Sequence, residues 1–231
     1  MLKYSRYWVK DFHMTPKLMG KKRGMIQLFD ENGNSIVGTV IEVQPNAVVQ
    51  IKKKEIDGYN AIQIGFDKIH VKDQRTLANR LSKPLRGHYS KAAVSPRKNL
   101  SEAKVDNIEQ YQVGQELAID LFADVKFVDA TAVSKGKGYQ GTMKKYNYSG
   151  GPASHGSGFH RHAGSTGMRS TPGRSLPNSP RPSHMGCETV TIQNLEVVMV
   201  KPAEQVIIVK GAVPGPTHGL VYIAPSVKKQ A

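Results

Sequence analysis

The chain has 231 residues, 39% of them hydrophobic and 7% aromatic, and a formal net charge of +15. This is enough for a real core, as one large domain or two small ones, but no apolar run reaches the roughly 18 residues of a membrane span. The single cysteine, Cys187, excludes an internal disulfide and points to a reducing, cytosolic compartment.

In chain order, the N-terminus lacks the apolar stretch of a signal peptide, and Asp11 is atypical of a transit peptide. Met14 is a second candidate start beside Met1. Residues 1–23 are basic and partly aromatic and read as an arm lying on the surface. From Gly24 the pattern becomes β. Met25 to Phe29 and Ile36 to Val43 flank Asn32-Gly33, a dipeptide that favours a type I′ hairpin turn with φ > 0 at both positions. Ala47 to Ile51 and Tyr59 to Ile64 repeat the design around Asp57-Gly58. Lys52, Lys53 and Lys54 between them are either a solvated strand end or an RNA contact.

Residues 67–110 are less regular, with a short helix predicted over 84–94 behind Pro84. Arg75, Arg80, Lys83, Arg86, Lys91, Arg97 and Lys98 make this a second basic region. Strands are predicted again at Glu116 to Asp120 and at Lys126 to Val133.

From Ala130 to Cys187 there is no Asp or Glu, but there are eight Lys or Arg, four His and eleven of the chain's 22 Gly. So little apolar surface cannot offset the entropy of ordering, so the segment is not expected to fold alone. Its single-sign charge points to a polyanion that orders it. An anionic membrane is the main competitor, weakened because no basic amphipathic helix is visible. After the segment, strands are predicted at Glu188 to Gln193, with Ile192 on the core face, then Leu195 to Val200, Val206 to Val209 and Leu220 to Ile223. Short strands with turns at this spacing predict a mainly β fold, a closed barrel interrupted by a long excursion. Structureless loops of that length are usually functional.

Within the excursion, Gly136 to Gly141 reads G-x-G-x-x-G after a predicted strand. A dinucleotide site would also need a helix opening at the last glycine and an acid about 20 residues on, and the next acid is Glu188. Close backbone approach to phosphates, with Lys135 and Lys137 supplying charge, suits the residues better. A flexible glycine turn is the plain alternative. His155, His160, His162 and His184 with Cys187 match no common zinc spacing; in a basic strip, histidines contact phosphates, 2′-hydroxyls or bases. No carboxylate is present to orient a histidine, which argues against nucleophilic catalysis. Tyr139, Tyr146, Tyr148 and Phe159 interleave with the cations, as stacking surfaces for bases or as side chains packed on the barrel wall.

Several of these runs resemble the universal large-subunit ribosomal protein L-three family, in its bacterial form. They are Ser134 to Gly141, Ser154 to Ser157, His160-Arg161, Pro172 to Arg174, His184 to Gly186, Val190 to Leu195 and Val209 to Gly215. Gly20 to Met25 is similar to the family's opening motif. The resemblance covers about residues 18–224. It implies a translation-protein-like barrel over residues 24–133 and 188–224, a short helical region, an rRNA-binding loop over 134–187 and a tail over 225–231. It implies a cytoplasmic structural constituent of the large subunit rather than an enzyme; a nucleotide-dependent enzyme using the 136–141 loop is the alternative. The partners implied are large-subunit rRNA near its 3′ end and the proteins L-fourteen and L-nineteen, with no membrane and no homo-oligomer. A role in early subunit assembly and a loop directed toward the peptidyl transferase centre are also implied. No cofactor or metal site is expected, although Mg²⁺ bound to rRNA would lie nearby.

The residues expected to touch rRNA are Lys21, Lys22, Arg23, Lys135, Lys137, Tyr139, Lys144, Lys145, Tyr148, His155, His160, Arg161, His162, Arg169, Arg174, Arg181 and His184. Two features depart from the family pattern. Gly151 stands where many bacterial members carry a methylated glutamine, so that modification is expected to be absent. Ser175 to Ser183 reads SLPNSPRPS where the family is rich in Lys and Gly.

Overall fold

A computed structural model of the chain describes residues 16–71 and 74–229. Most of the expected N-terminal arm, both candidate start residues and the end of the C-terminal tail lie outside the described residues. The chain forms two compact units, one of residues up to Ala132 and from Thr191 on, the other Val133–Val190.

In the first unit, β1 (Leu18–Phe29) and β2 (Ser35–Glu42) form the hairpin expected around Asn32-Gly33. The turn is a different one. Gly33 has φ +78°, but Asn32 is not in the left-handed region. Gly33 N donates to Asp30 O and Asp30 N donates to Asn34 O, both at 3.0 Å. The Asp30 carboxylate accepts from Asn32 N at 3.0 Å and Asn34 N at 2.7 Å. This is a type I turn closed by a left-handed glycine, and Asp30 decides it by satisfying the turn amides with its own side chain. β1 also begins earlier than expected: residues 18–23 belong to the sheet rather than to an arm, with Leu18 and Met19 fully buried.

Next come β3 (Asn46–Lys52), α1 (Lys54–Asp57) and β4 (Ala61–Lys68). Asp57-Gly58 ends a one-turn helix rather than forming a tight hairpin turn. The 67–110 region contains α2 (Gln74–Arg80), α3 (Lys83–Lys91) and β5 (Arg97–Lys104), a strand the sequence pattern did not reveal. The strand expected at 116–120 is only β6 (Glu116–Leu117), followed by a 3₁₀ turn over Ile119–Phe122. β7 (Phe127–Val133) follows. The second unit holds β8 (Gly138–Gln140), α4 (Thr142–Tyr146) and β9 (Ser183–Met185). The chain ends with β10 (Thr189–Lys201), β11 (Val206–Lys210) and β12 (Leu220–Pro225).

The fold is mainly β, as expected, but the strands read as one barrel separate into two sheets. One has the order β1-β12-β7-β10-β11-β2, and β1 also pairs with β2, so it closes on itself. The other has the order β5-β4-β3-β6. Both feed one core, with Ile41, Ile207, Val209 and Val221 from the first sheet and Val48, Ile62, Ile64 and Phe66 from the second. Burying each such side chain contributes about 1.5–3 kcal/mol. The period of two shows in β4: Ile62, Ile64 and Phe66 join this core, while Gln63 between them meets His88 of α3.

Asn46 joins the sheets. It is fully buried; its Oδ1 accepts from Met19 N at 3.2 Å, and its Nδ2 donates to Met19 O at 3.1 Å and Gln44 O at 3.0 Å. A buried amide persists where its polar groups find partners. Ile192, expected on the core face, is only half-buried; Leu195, Val197 and Val200 supply the packing of β10 instead. Among the described residues, no helix is long and apolar enough to cross a membrane.

Candidate nucleic-acid interface

The second unit is organised by its neck. β8 pairs antiparallel with β9, with Tyr139 opposite His184. Lys137 N donates to Met185 O at 2.9 Å, and Ser134 N to Glu188 O at 2.8 Å. The Gly136–Gly141 run and the His184-Met185-Gly186 run, distant in sequence, are therefore strand partners. The glycine run contains β8, and the helix that opens after Gly141 is the five-residue α4, too short for a crossover between parallel strands.

α4 is pinned to the neck by one side chain. Lys145 Nζ donates to Ser183 Oγ at 2.5 Å and to His184 O at 2.9 Å. Lys144 and Lys145 stand in the last turn of α4, and Asn147 closes it in the left-handed conformation. Both suit the negative end of a helix.

Residues 147–182 contain no helix or strand. Local contacts shape them instead. Gly151 N donates to His160 O at 2.8 Å, and His162 N to Phe159 O at 2.9 Å. The Phe159 and His162 rings lie 5.7 Å apart. A Cβ on Gly151 would stand 2.8 Å from Phe159 Cδ1. Phe159 thus occupies the space that any longer residue at this position would need. Further along, Arg169 and Arg174 line one cavity of about 280 Å³ with Thr166, Gly167, Met168, Gly173 and Ser175.

The expected contact residues divide into two groups. Lys21, Lys22 and Arg23 lie on β1 in the first unit and are held there. Lys21 Nζ sits 2.6 Å from Asp67 Oδ1. Lys22 Nζ donates to Val213 O at 2.7 Å and Gly215 O at 3.3 Å. Arg23 pairs with Glu42, and its Nη1 meets His218 Nδ1 at 2.9 Å. Glu42 is desolvated by burial, which pushes its carboxyl up, but hydrogen bonds from Arg23 and Gln44 outweigh this and hold it below the ordinary range. His218 was not among the expected residues. It lies 195 positions from Arg23, and its only sequence signal was a histidine in a Pro- and Gly-rich loop.

The rest lie in the second unit. Among the described residues, the side chains of Lys135, Lys137, Lys144, Arg161, Arg169, Arg174 and Arg181 make no ion pair. All seven are exposed, as are His155, His160, His162 and His184. Tyr139 is 75% exposed, and Tyr148 is exposed as well. No group of three or more His, Cys, Asp or Glu that could hold a metal ion occurs among the described residues. Chemically, this is a strip of uncompensated cations with open aromatic faces on a backbone rich in glycine. Such a surface suits a polyanion with unpaired bases.

The family model described as Ribosomal protein L3 matches residues 97–205. The chain is 57% identical over 224 residues to the large ribosomal subunit protein uL3 of Protochlamydia amoebophila, spanning 97% of this chain and 95% of that one. It is 50% identical over 216 residues to the protein of the same name from Chlamydia felis, spanning 93% and 97%. With that of Chlamydia trachomatis serovar D it shares 49% identity over 211 residues, spanning 90% and 95%.

Proposed function

The chain belongs to the ribosomal protein L3 family, and from that premise we propose that its second unit is the rRNA-binding element of a large-subunit protein. The family is made of structural, cytoplasmic components of the large ribosomal subunit that serve translation and are not enzymes. One observation carries the finer reading: seven exposed cations of the second unit have no ion-pair partner among the described residues.

In this reading Lys135, Lys137, Lys144, Arg161, Arg169, Arg174 and Arg181 neutralise phosphates. His155, His160, His162 and His184 contact sugars, phosphates or bases, and Tyr139 and Tyr148 stack on unpaired bases. Lys145 orders α4 first and adds charge second. Lys21, Lys22 and Arg23 shape the surface of the first unit, and their contribution to RNA is secondary to that role. The first unit acts as a barrel of the translation-protein type that carries the loop. The binding region is the large-subunit rRNA near its 3′ end, with L-fourteen and L-nineteen as neighbours and rRNA-bound Mg²⁺ nearby. The loop extends toward the peptidyl transferase centre, and the protein joins the subunit early. It acts as a single copy, without a cofactor of its own.

The test is a salt titration of the full chain against bacterial large-subunit rRNA. If about six cations meet phosphates, log K falls against log salt with a slope of roughly −4 to −5. A slope near zero rejects the reading.

A further inference from the structure

From Gln74 to Ser101 the sequence again contains no Asp or Glu, and the function proposed above leaves this basic run unused. The fold sorts its cations. Arg97 is buried, with Nη2 2.8 Å from Glu116 Oε1, so it belongs to the scaffold. Arg80 Nη1 donates to His70 O at 3.1 Å. Lys83, Arg86 and Lys91 have no side-chain hydrogen bond or ion pair among the described residues. All three stand on α3.

A helix repeats every 3.6 residues, so positions 83, 86, 87, 90 and 91 fall on one side. The opposite side is docked, apart from exposed Leu85. Tyr89 is buried and its hydroxyl donates to Arg97 O at 2.9 Å, while His88 Nε2 meets Gln63 Oε1 at 2.6 Å. The outward stripe therefore reads Lys83, Gly87, Ser90, Lys91, with Arg86 at its edge, its Nε buried without a partner. Arg86 is half-buried and the other four are exposed.

Gly87 is the unusual member. It sits mid-helix, where glycine is less favourable than alanine. Its φ is not left-handed, and a Cβ built on it would meet nothing within 4 Å. Among the described residues, nothing calls for a glycine there. A residue without a side chain has a use if another backbone approaches the helix surface closely. The flanking charges say what kind of backbone. Lys83 and Lys91 stand about 12 Å apart along the axis, with Gly87 midway, at 1.5 Å rise per residue. Arg86 adds a third uncompensated charge, and no acid lies on the helix.

We propose that the outward stripe of α3 is a second RNA-contact surface, on which a sugar-phosphate backbone lies against Gly87 between Lys83 and Lys91. The inference rests on the reading of the chain as an rRNA-binding protein, but it concerns the first unit and not the loop.

The experiment uses the full chain and bacterial large-subunit rRNA. Gly87→Ala is expected to melt at the same or a higher temperature than the parent, because it removes a helix-interior glycine, yet to bind several-fold more weakly. Lys83→Gln with Lys91→Gln is expected to make the log K against log salt slope shallower by about 1.4 to 1.8, from 0.7 to 0.9 per phosphate contact. Arg169→Gln with Arg174→Gln serves as the comparison in the second unit. If the parent slope is steep and the Arg169/Arg174 pair reduces it, while both α3 variants bind like the parent, the α3 surface is rejected and the rRNA-binding reading stands. If the α3 variants bind free rRNA normally but fail to enter large subunits, the stripe faces a protein, which also overturns the proposal. A parent slope near zero rejects both readings.

Discussion

Gly186 stands so close to Lys135 that a Cβ on it would lie 2.2 Å from the Lys135 carbonyl oxygen. Gly186 also has φ +79°. Position 186 therefore combines a left-handed backbone with contact against another backbone, and only glycine meets both conditions. Gly186→Ala is expected to open the neck of the second unit, at a local cost of about 1–3 kcal/mol from backbone strain alone. Hydrogen exchange at the Ser134 and Lys137 amides should accelerate, with the melting of the first unit unchanged. Unaltered protection at both amides would show that the neck tolerates the side chain.

The loop beyond the neck should be the first part of the free protein to be cut. Its residues 147–182 form no helix or strand, and their composition cannot offset the entropy of ordering. Trypsin is expected to cleave after Arg161, Arg169, Arg174 or Arg181 before any site in the closed sheet. Large-subunit rRNA should suppress these cuts. Resistance of the free protein at all four sites would mean that the loop folds without RNA.

β11 is buried more deeply than β10, and substitution should show it. Ile207 is fully buried, whereas Ile192 is half-buried. Ile207→Asp places an unpaired charge in the core and is expected to leave little folded protein, while Ile207→Ala should cost about 2–5 kcal/mol. Ile192→Asp should be tolerated far better. Urea denaturation compares them, and equal losses at the two positions would contradict the burial difference.

Acid should weaken the first unit through a few paired carboxylates. Glu102 lies 2.6 Å from Lys52 Nζ and accepts from the Tyr59 hydroxyl at 2.8 Å. The hydrogen bond from Lys52, and then that from Tyr59, hold its carboxyl below the ordinary value. Asp30 is lowered as well, chiefly by the Asn34 side-chain hydrogen bond. A depressed carboxylate stabilises the fold above its unfolded value, near pH 4, and that stabilisation is lost as pH falls through the folded value. Melting temperature should therefore drop on the acid side, and Glu102→Gln should flatten that limb while lowering the neutral value slightly. An identical acid limb in the variant would show that the Lys52–Glu102 pair does not contribute.

Much of the chain was legible without a structure because the signals are local. Ile62 and Ile64 face the core and Gln63 faces the helices because a strand alternates. Asp30, Asn32 and Gly33 mark a turn because short polar side chains and glycine satisfy its geometry, although which turn forms depended on where the Asp30 carboxylate points. The candidate interface was legible for a similar reason. A run without any acid cannot compensate its own cations locally, so Lys135, Lys137 and Arg161 read as uncompensated before any fold was known.

What stayed hidden involves partners far apart in sequence. Lys22 looked like a free cation, yet Val213, 191 positions away, accepts its hydrogen bond. Arg97 read as part of a basic surface and is buried against Glu116. Ile192 carries the right period, but period alone cannot say how deeply a strand sits. The sequence by itself determined the β character, the acid-free loop and the family, because composition, periodicity and motif order are properties of the linear chain. Only the tertiary structure decided that the strands divide into two sheets, that Asn46 joins them, and which cations remain unpaired. Those outcomes depend on strand register and on which distant groups come within hydrogen-bond reach, and neither is encoded in any one stretch of residues.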